Sequence, residues 1–304
     1  MDEYTLKTMH WLDDRFRETD QSGVYFAHQP IYGFRIGHCE PQMSERYLRT
    51  YRILKKLACY KVNSILDVGG AEGYKAFLIK KFLHIQKVES CDLSAEAAKR
   101  AEDIFKIKSC QADMHKLPFE DKQFEAVICS EALEHVFDRD TSLKELLRIA
   151  KNLVIITVPN EKPLKGQNED HHAHINFFNA DSLNHLTREG WEVHHEKIMG
   201  SWLRPIRAMV NAEKKEPSGK PLLKKILFYL FNMFTPLFRI VFNRRMTALA
   251  FELDELLSSF SSHYDAHIYC LIRKDNTPER TFPTKIPILG ILNFMVPLYF
   301  LKKF

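Results

Sequence analysis

Apolar residues come in short blocks along the first two-thirds of the chain. Each block ends in turn residues, and a segment with apolar positions at helical spacing follows. The blocks predict strands at 64–68, 87–91, 107–111, 124–129 and 153–158, with helices at 73–83, 94–104, 140–150 and 180–189. Alternation at this spacing predicts an α/β domain, a parallel sheet with helices on both faces. Ahead of it, Ser44 to Tyr60 places Tyr47, Tyr51, Leu54 and Leu57 on one helical face, which suits a helix packed beside the first strand. Trp191 to Met199 and Ala266 to Lys274 read as a sixth and a seventh strand.

The pattern divides the chain into five parts: an N-terminal helical and loop cap (1–60), a core (61–199), an apolar helical segment (200–263), a last strand (264–275) and an apolar, basic tail (276–304). Within the cap, Tyr25 to Phe34 is aromatic-rich and broken by Pro30 and Gly33. It reads either as a loop arching over a pocket or as a packing strap. No internal repeat is visible.

The richest chemistry lies in Ile65-Leu-Asp-Val-Gly-Gly-Ala-Glu-Gly-Tyr74. A strand ends in an acid, glycines turn the chain, and a helix begins. Glycines there let backbone approach a ligand, and a helix N-terminus offers unpaired N–H groups. A second strand ends in an acid at Asp92, a position suited to accepting from a ribose diol. A dinucleotide fingerprint GxGxxG starting at Gly69 requires glycines at 71 and 74, where the chain has Ala71 and Tyr74.

With Asp67 in front, the Gly69–Gly73 turn resembles motif I of the class I S-adenosylmethionine-dependent methyltransferases, with Ala71 standing where that family usually has glycine. Gln111 to Val136 resembles the same family's segment around strands 3 and 4, and the overall resemblance covers about residues 61–200, closest to the type 11 group. It implies S-adenosylmethionine as cofactor, held by Asp67, Gly69, Gly70, Ala71, Glu72, Gly73, Tyr74, Asp92, Leu93, Asp113, Met114, Ser130 and Glu131. In this resemblance Asp113 accepts from the adenine amino group, Met114 lies against the ring, and Ser130 and Glu131 lie near the methyl donor. It also implies a Rossmann-like doubly wound sheet of seven strands. The last strand is antiparallel and lies between strands 5 and 6, which makes 200–263 an insertion between strands 6 and 7.

Asp170-His-His-Ala-His174 follows strand 5. His171 and His172 are adjacent and poorly placed for one ion, and further ligands are not evident nearby, so no metal is expected. The His174, Phe177 and Phe178 pattern is similar to one that many type 11 methyltransferases carry on the acceptor side, and His135 also matches a family position. His174, His135 and His172 are therefore the candidate general bases for a hydroxyl acceptor.

Charge and hydrophobicity bear on partners. The net charge is +5, and it is uneven: residues 1–200 carry 28 Lys and Arg against 31 Asp and Glu, and residues 201–304 carry 16 against 8. The basic third also holds the longest apolar runs, Leu222 to Arg245 and Ile286 to Leu301. Pro236 and Arg239 interrupt the first, and Pro287, Asn293 and Pro297 the second. A membrane-crossing helix needs about 20 apolar residues in succession, so neither run is read as one. They suit an anionic membrane surface, a cap on the core or a second subunit. Nucleic acid is not expected, because it would waste the apolar stretches. Six scattered cysteines without a CxxC pair suit a reducing compartment. With a polar N-terminus and no signal-peptide pattern, the chain is expected in the cytoplasm, peripheral to the cytoplasmic membrane face. The leading expectation is methyl transfer to a hydroxyl of a lipid or lipid-linked saccharide at a membrane. The alternatives are a soluble small-molecule O- or N-methyltransferase with the insertion as a lid, and a non-catalytic scaffold.

Overall fold

The computed structural model describes residues 1–21, 23–31, 41–162, 174–200, 222, 226, 244–281 and 285–294, with backbone alone at 41–44 and 244–247. Helix α1 spans Glu3–Arg17 and α2 spans Pro41–Leu57. The core then alternates: β1 (Ser64–Val68), α3 (Tyr74–Leu83), β2 (Lys87–Asp92), α4 (Ala95–Phe105), β3 (Lys108–Gln111), β4 (Phe124–Ser130), α5 (Arg139–Ile149), β5 (Ala150–Pro159) and β6 (Trp191–Ile198). Helix α6 (Arg244–Phe260), β7 (Ala266–Arg273) and α7 (Ile288–Asn293) complete it.

The seven strands form one sheet in the order β3-β2-β1-β4-β5-β7-β6. Strands β1 to β5 pair in parallel, and β7 runs antiparallel to both β5 and β6. The expected topology is therefore the observed one. Side chains alternate across the sheet. Ile65, Ile128 and Ile155 enter a core under α2, α3 and α7, while Leu66, Val127 and Val154 enter the opposite core with Leu146 and Trp191. In the register, Val68 pairs with both Cys91 and Cys129. The ends of β1, β2 and β4 are level, so Gly69, Asp92 and Ser130 emerge along one edge, where ligands bind in open α/β sheets.

Three expectations change. The helix expected at 180–189 is a short 3₁₀ turn, Asn184–Glu189. Asn179 Oδ1 accepts from the Asp181 N–H, and Ser182 Oγ accepts from the Asn179 N–H, local bonds that compete with an α-helical start. β5 begins at Ala150, directly at the end of α5. The apolar tail is in part a core cap: Ile286, Ile288, Ile291 and Leu292 are buried, and Phe294 packs on Phe77 at 5.0 Å. Its remainder, 295–304, lies outside the described residues, as does the run 226–238 apart from Ile226.

Of the insertion, α6 is described, and it is anchored from inside. Arg52 of α2, 1% exposed, pairs with Asp254 (0%) and with Glu196 of β6, each at 2.8 Å. Its outer face carries Leu249, Leu253, Leu256 and Phe260, exposed at i, i+4, i+7 and i+11. No helix among the described residues is long and apolar enough to cross a membrane.

Candidate functional site

A cavity of about 510 Å³ opens at the level ends of β1, β2 and β4. This is the size of a small-molecule site. Its floor is the turn after β1. Gly73, the residue before α3, has φ +82° and lies so close to α4 that a Cβ would come within 2.7 Å of Ala101 Cβ. Only glycine meets both demands. Ala71 also has a positive φ, +48°, and its methyl group does not prevent the left-handed turn.

The turn's amides are used internally, unlike the unpaired groups expected of a helix start. Gly69 and Gly70 donate to the Cys91 carbonyl, Ala71 donates to Asp92 Oδ2, and Tyr74 donates to Gln29 Oε1. The turn therefore offers a close backbone surface and a fixed Asp92. Asp92 Oδ1 accepts from the Ser94 N–H at 3.0 Å, so its two oxygens are oriented by one backbone bond each, with further lone pairs to spare. Burial raises its pKa.

Of the expected cofactor residues, Gly69, Ala71, Tyr74, Asp92, Leu93, Asp113, Met114, Ser130 and Glu131 line the cavity. Asp67, Gly70, Glu72 and Gly73 stand behind the wall. Asp67 is fully buried, 3.7 Å from Lys75 Nζ. Glu72, also buried, accepts from the His28 N–H at 2.6 Å and lies 3.7 Å from Arg100, which ties the cap to the turn. Asp113 Oδ1 takes both the backbone N–H and the ring Nδ1 of His115.

The far wall is built from the ends of β4 and β5. Glu131 adopts φ +57°, a strained conformation held by Thr157 Oγ1 at 3.1 Å and Arg49 at 2.8 Å. His135 and His174, far apart in sequence, meet edge to face at 4.6 Å. Their meeting is enforced by the segment after His174: Ile175 and Asn176 N–H both donate to the Glu134 carbonyl, and Asn176 Nδ2 donates to the Val136 carbonyl. His174 Nδ1 lies 2.7 Å from Glu161 Oε2. His172 lies outside the described residues.

Sequence reasoning missed several cavity residues. Helix α1 closes the cavity with Tyr4, Thr8, Trp11 and Arg15, and α2 contributes Arg46 and Arg49. His28 also lines it; burial, with Arg15, Arg46 and Arg100 nearby, pushes its pKa down to about 3 and keeps it neutral. The Tyr25–Phe34 segment, as far as residue 31 is described, serves as both wall and strap: His28, Gln29 and Pro30 line the cavity, and Tyr47 Oη donates to the Pro30 carbonyl.

Comparison with known proteins bears on this arrangement. Residues 66–156 match the type 11 family model described as "Methyltransferase domain". Residues 66–156, most of the core, thus carry the pattern of a methyltransferase domain. The matched stretch holds the turn, Asp92, Asp113, Glu131 and His135. Among relatives, the chloroplastic tocopherol O-methyltransferase of Arabidopsis thaliana is 33% identical over 148 residues, covering 44% of this chain and 42% of that protein. The ubiquinone/menaquinone biosynthesis C-methyltransferase UbiE of Xylella fastidiosa (strain M12) is 30% identical over 95 residues, 29% of this chain and 38% of that one. The chain thus spans less than half the length of these relatives. A solved structure of Haemonchus contortus phosphoethanolamine N-methyltransferase 2 with S-adenosyl-L-methionine is similar over 76% of this chain and 52% of that one, at 16% identity and a TM-score of 0.48.

Proposed function

We propose that this chain transfers a methyl group from S-adenosylmethionine to a hydroxyl of an apolar acceptor, a lipid or lipid-linked saccharide, presented at a membrane surface. The observation that carries the reading is the pairing, across one cavity, of two carboxylates at strand ends with a histidine corner. Asp92, Asp113, Met114, Gly69 and Ala71 all line this cavity. Asp92 would accept from the ribose diol and Asp113 from the adenine amine, Met114 would pack on the ring, and Gly69 and Ala71 would allow close backbone approach. At Gly69 a Cβ would come within 2.6 Å of Ala132 Cβ, so this part of the wall carries no side chain.

When bound, the cofactor supplies a methyl group already activated on a sulfonium. The chain's own work is alignment and exclusion of water, done by α1 and the His28–Pro30 strap, and proton handling at the far wall. A hydroxyl acceptor must lose its proton as the new bond forms. His135 and His174 are the groups at that corner, and Glu161 fixes the His174 ring by its Nδ1. His172 is kept as a third candidate.

Two observations support the apolar, membrane-side acceptor. The outer face of α6 is an exposed leucine and phenylalanine stripe, and the C-terminal third carries the basic excess. The relatives' names, a tocopherol O-methyltransferase and a quinone-biosynthesis C-methyltransferase, are in keeping with an apolar acceptor. The reading is tested by supplying cofactor with a labelled methyl group to the purified chain with a lipid extract and with a soluble extract. Label entering the lipid fraction is expected. Label confined to the soluble fraction would contradict the lipid acceptor.

A further inference from the structure

We infer that Glu134, His135 and His174 form a binding site for a divalent first-row transition-metal ion at the acceptor end of the cavity. The inference rests on the proposed reaction only for its use, not for the site itself. One ligand atom from each of the three residues lies within 4.8 Å of the others. Two imidazoles and a carboxylate are the ligand set of open Zn²⁺ or Fe²⁺ sites, in which substrate or water completes the coordination.

The second observation is the state of Glu134. Its side chain is 1% exposed, and neither carboxylate oxygen has a hydrogen-bond partner. Burying a carboxylate without partners is costly. Arg49 lies in its field, but that guanidinium is paired with Glu131 at 2.8 Å. A cation held between Glu134 and the two rings supplies the missing partner. Glu131 is not in the set, because its oxygens are taken by Arg49 and Thr157.

The surroundings are those of a built site. Glu161 Oε2 lies 2.7 Å from His174 Nδ1, which leaves Nε2 to face an ion; a carboxylate on the far nitrogen commonly orients a metal-bound histidine. The backbone bonds from Ile175 and Asn176 to the Glu134 carbonyl hold the two halves of the site together before any ion arrives. Sequence spacing pointed away from a metal because the ligands are split between the end of β4 and the segment after β5. All three residues line the same cavity wall. An acceptor hydroxyl in the open position would have its acidity raised, releasing its proton to solvent, and the histidines would act through the ion. The acceptor class this selects is one with an oxygen able to coordinate.

The test uses the full chain stripped with a chelator. Zn²⁺ is titrated in competition with a chromophoric chelator, and Co²⁺ is added separately to read its visible bands. One equivalent should bind to the wild type. Glu134→Gln and His174→Ala should each lose it, and Glu161→Gln should weaken it roughly 10–100-fold. S-adenosylhomocysteine binding, measured alongside, reports whether each variant is folded. It also separates the two readings, since Zn²⁺ binding without cofactor binding would sink the proposed reaction and leave the metal site standing. Should Glu134→Gln fail to fold, the half-exposed His174 decides. The inference is overturned if the wild type binds no stoichiometric Zn²⁺, or if folded His174→Ala or Glu134→Gln binds it undiminished. Loss in His172→Ala with retention in Glu134→Gln would place the ion on the His172–His174 pair and overturn it equally.

Discussion

Single residues at the floor of the site carry measurable strain. Ala71 sits at φ +48°, where an L side chain costs about 1–2 kcal/mol that glycine avoids. Glycine gives some of this back through the flexibility of the unfolded chain, roughly 0.4–1 kcal/mol. Ala71→Gly should therefore stabilise the fold by about 0.5–1 kcal/mol, seen as a rise in Tm of about 1–2 °C. No change, or a fall, would show that the methyl group makes a packing contribution outweighing the strain. A different residue sets part of the acid sensitivity. His267 is fully buried against His195, with 2.9 Å between ring nitrogens, and burial pushes its pKa down to about 4. In the unfolded chain it titrates near the ordinary value of about 6.5. Between these values the unfolded chain holds a proton that the folded one does not, so stability falls as pH drops from about 6.5 towards 4. Urea denaturation at pH 7 and pH 5 should show wild type losing about 2 kcal/mol more than His267→Gln. Equal losses would contradict the assignment.

Residues were legible in sequence where one short segment supplies both the backbone and the chemistry. Gly69, Ala71, Asp92, Asp113, Glu131 and His135 could be named because each sits next to a strand end. Glu134 could not, because its significance lies in two empty lone-pair sets that only the packed structure reveals. Arg46 and Arg49 were hidden on a helix whose apolar face drew attention to the core instead.

Elements were legible in proportion to their apolar periodicity. Every core strand was expected within a few residues. Helix α1 was not specified, because the face it buries is polar: Thr5, Thr8 and Asp13 are buried with Phe16. That face looks into a cavity and onto α4, where Asp13 accepts from Ser94 Oγ, so it has no need of leucines. Its visible signal was the Asp2 cap, which accepts from the Thr5 N–H. The placing of α6 depends on a contact 202 residues long in sequence, the Arg52–Asp254 pair. Removing one partner of a buried pair costs about 3–5 kcal/mol, because the other is left uncompensated. Asp254→Ala should fall at the lower end, about 3 kcal/mol, since Arg52 retains Glu196. Arg52→Met combined with Asp254→Leu should recover much of the loss in chemical denaturation. A loss under about 1 kcal/mol in Asp254→Ala would show that α6 is not held by this pair.

At the scale of the whole molecule, a sheet edge, a helix (α1) closing the cavity and an apolar C-terminal third are combined in one chain. The sheet order was open to sequence reasoning through the resemblance, but the destination of the tail was not. Its described half, 286–294, turns inward to cap the core beneath α3. Apolar runs look alike whether they cover a protein or a lipid, and partners elsewhere in the chain decide between the two. The exposed stripe on α6 and the basic excess are what the proposed membrane-surface role would use. Sedimentation with anionic vesicles at low salt is expected, and it should be lost at high salt as screening shortens the reach of the charges. Binding that is indifferent to both lipid charge and salt would contradict an electrostatic membrane role.

In the proposed reaction, the cavity at the ends of β1, β2 and β4 holds S-adenosylmethionine through Asp92 and the Gly69–Tyr74 turn. Calorimetric titration of the full chain with S-adenosylmethionine, with NAD as control, decides this. The wild type should bind one equivalent and no NAD, and binding should weaken by about 1–3 kcal/mol in Asp92→Asn, which keeps the shape but loses the charge-assisted bonds. No binding by the folded wild type, or binding of NAD in its place, would rule out this use of the cavity.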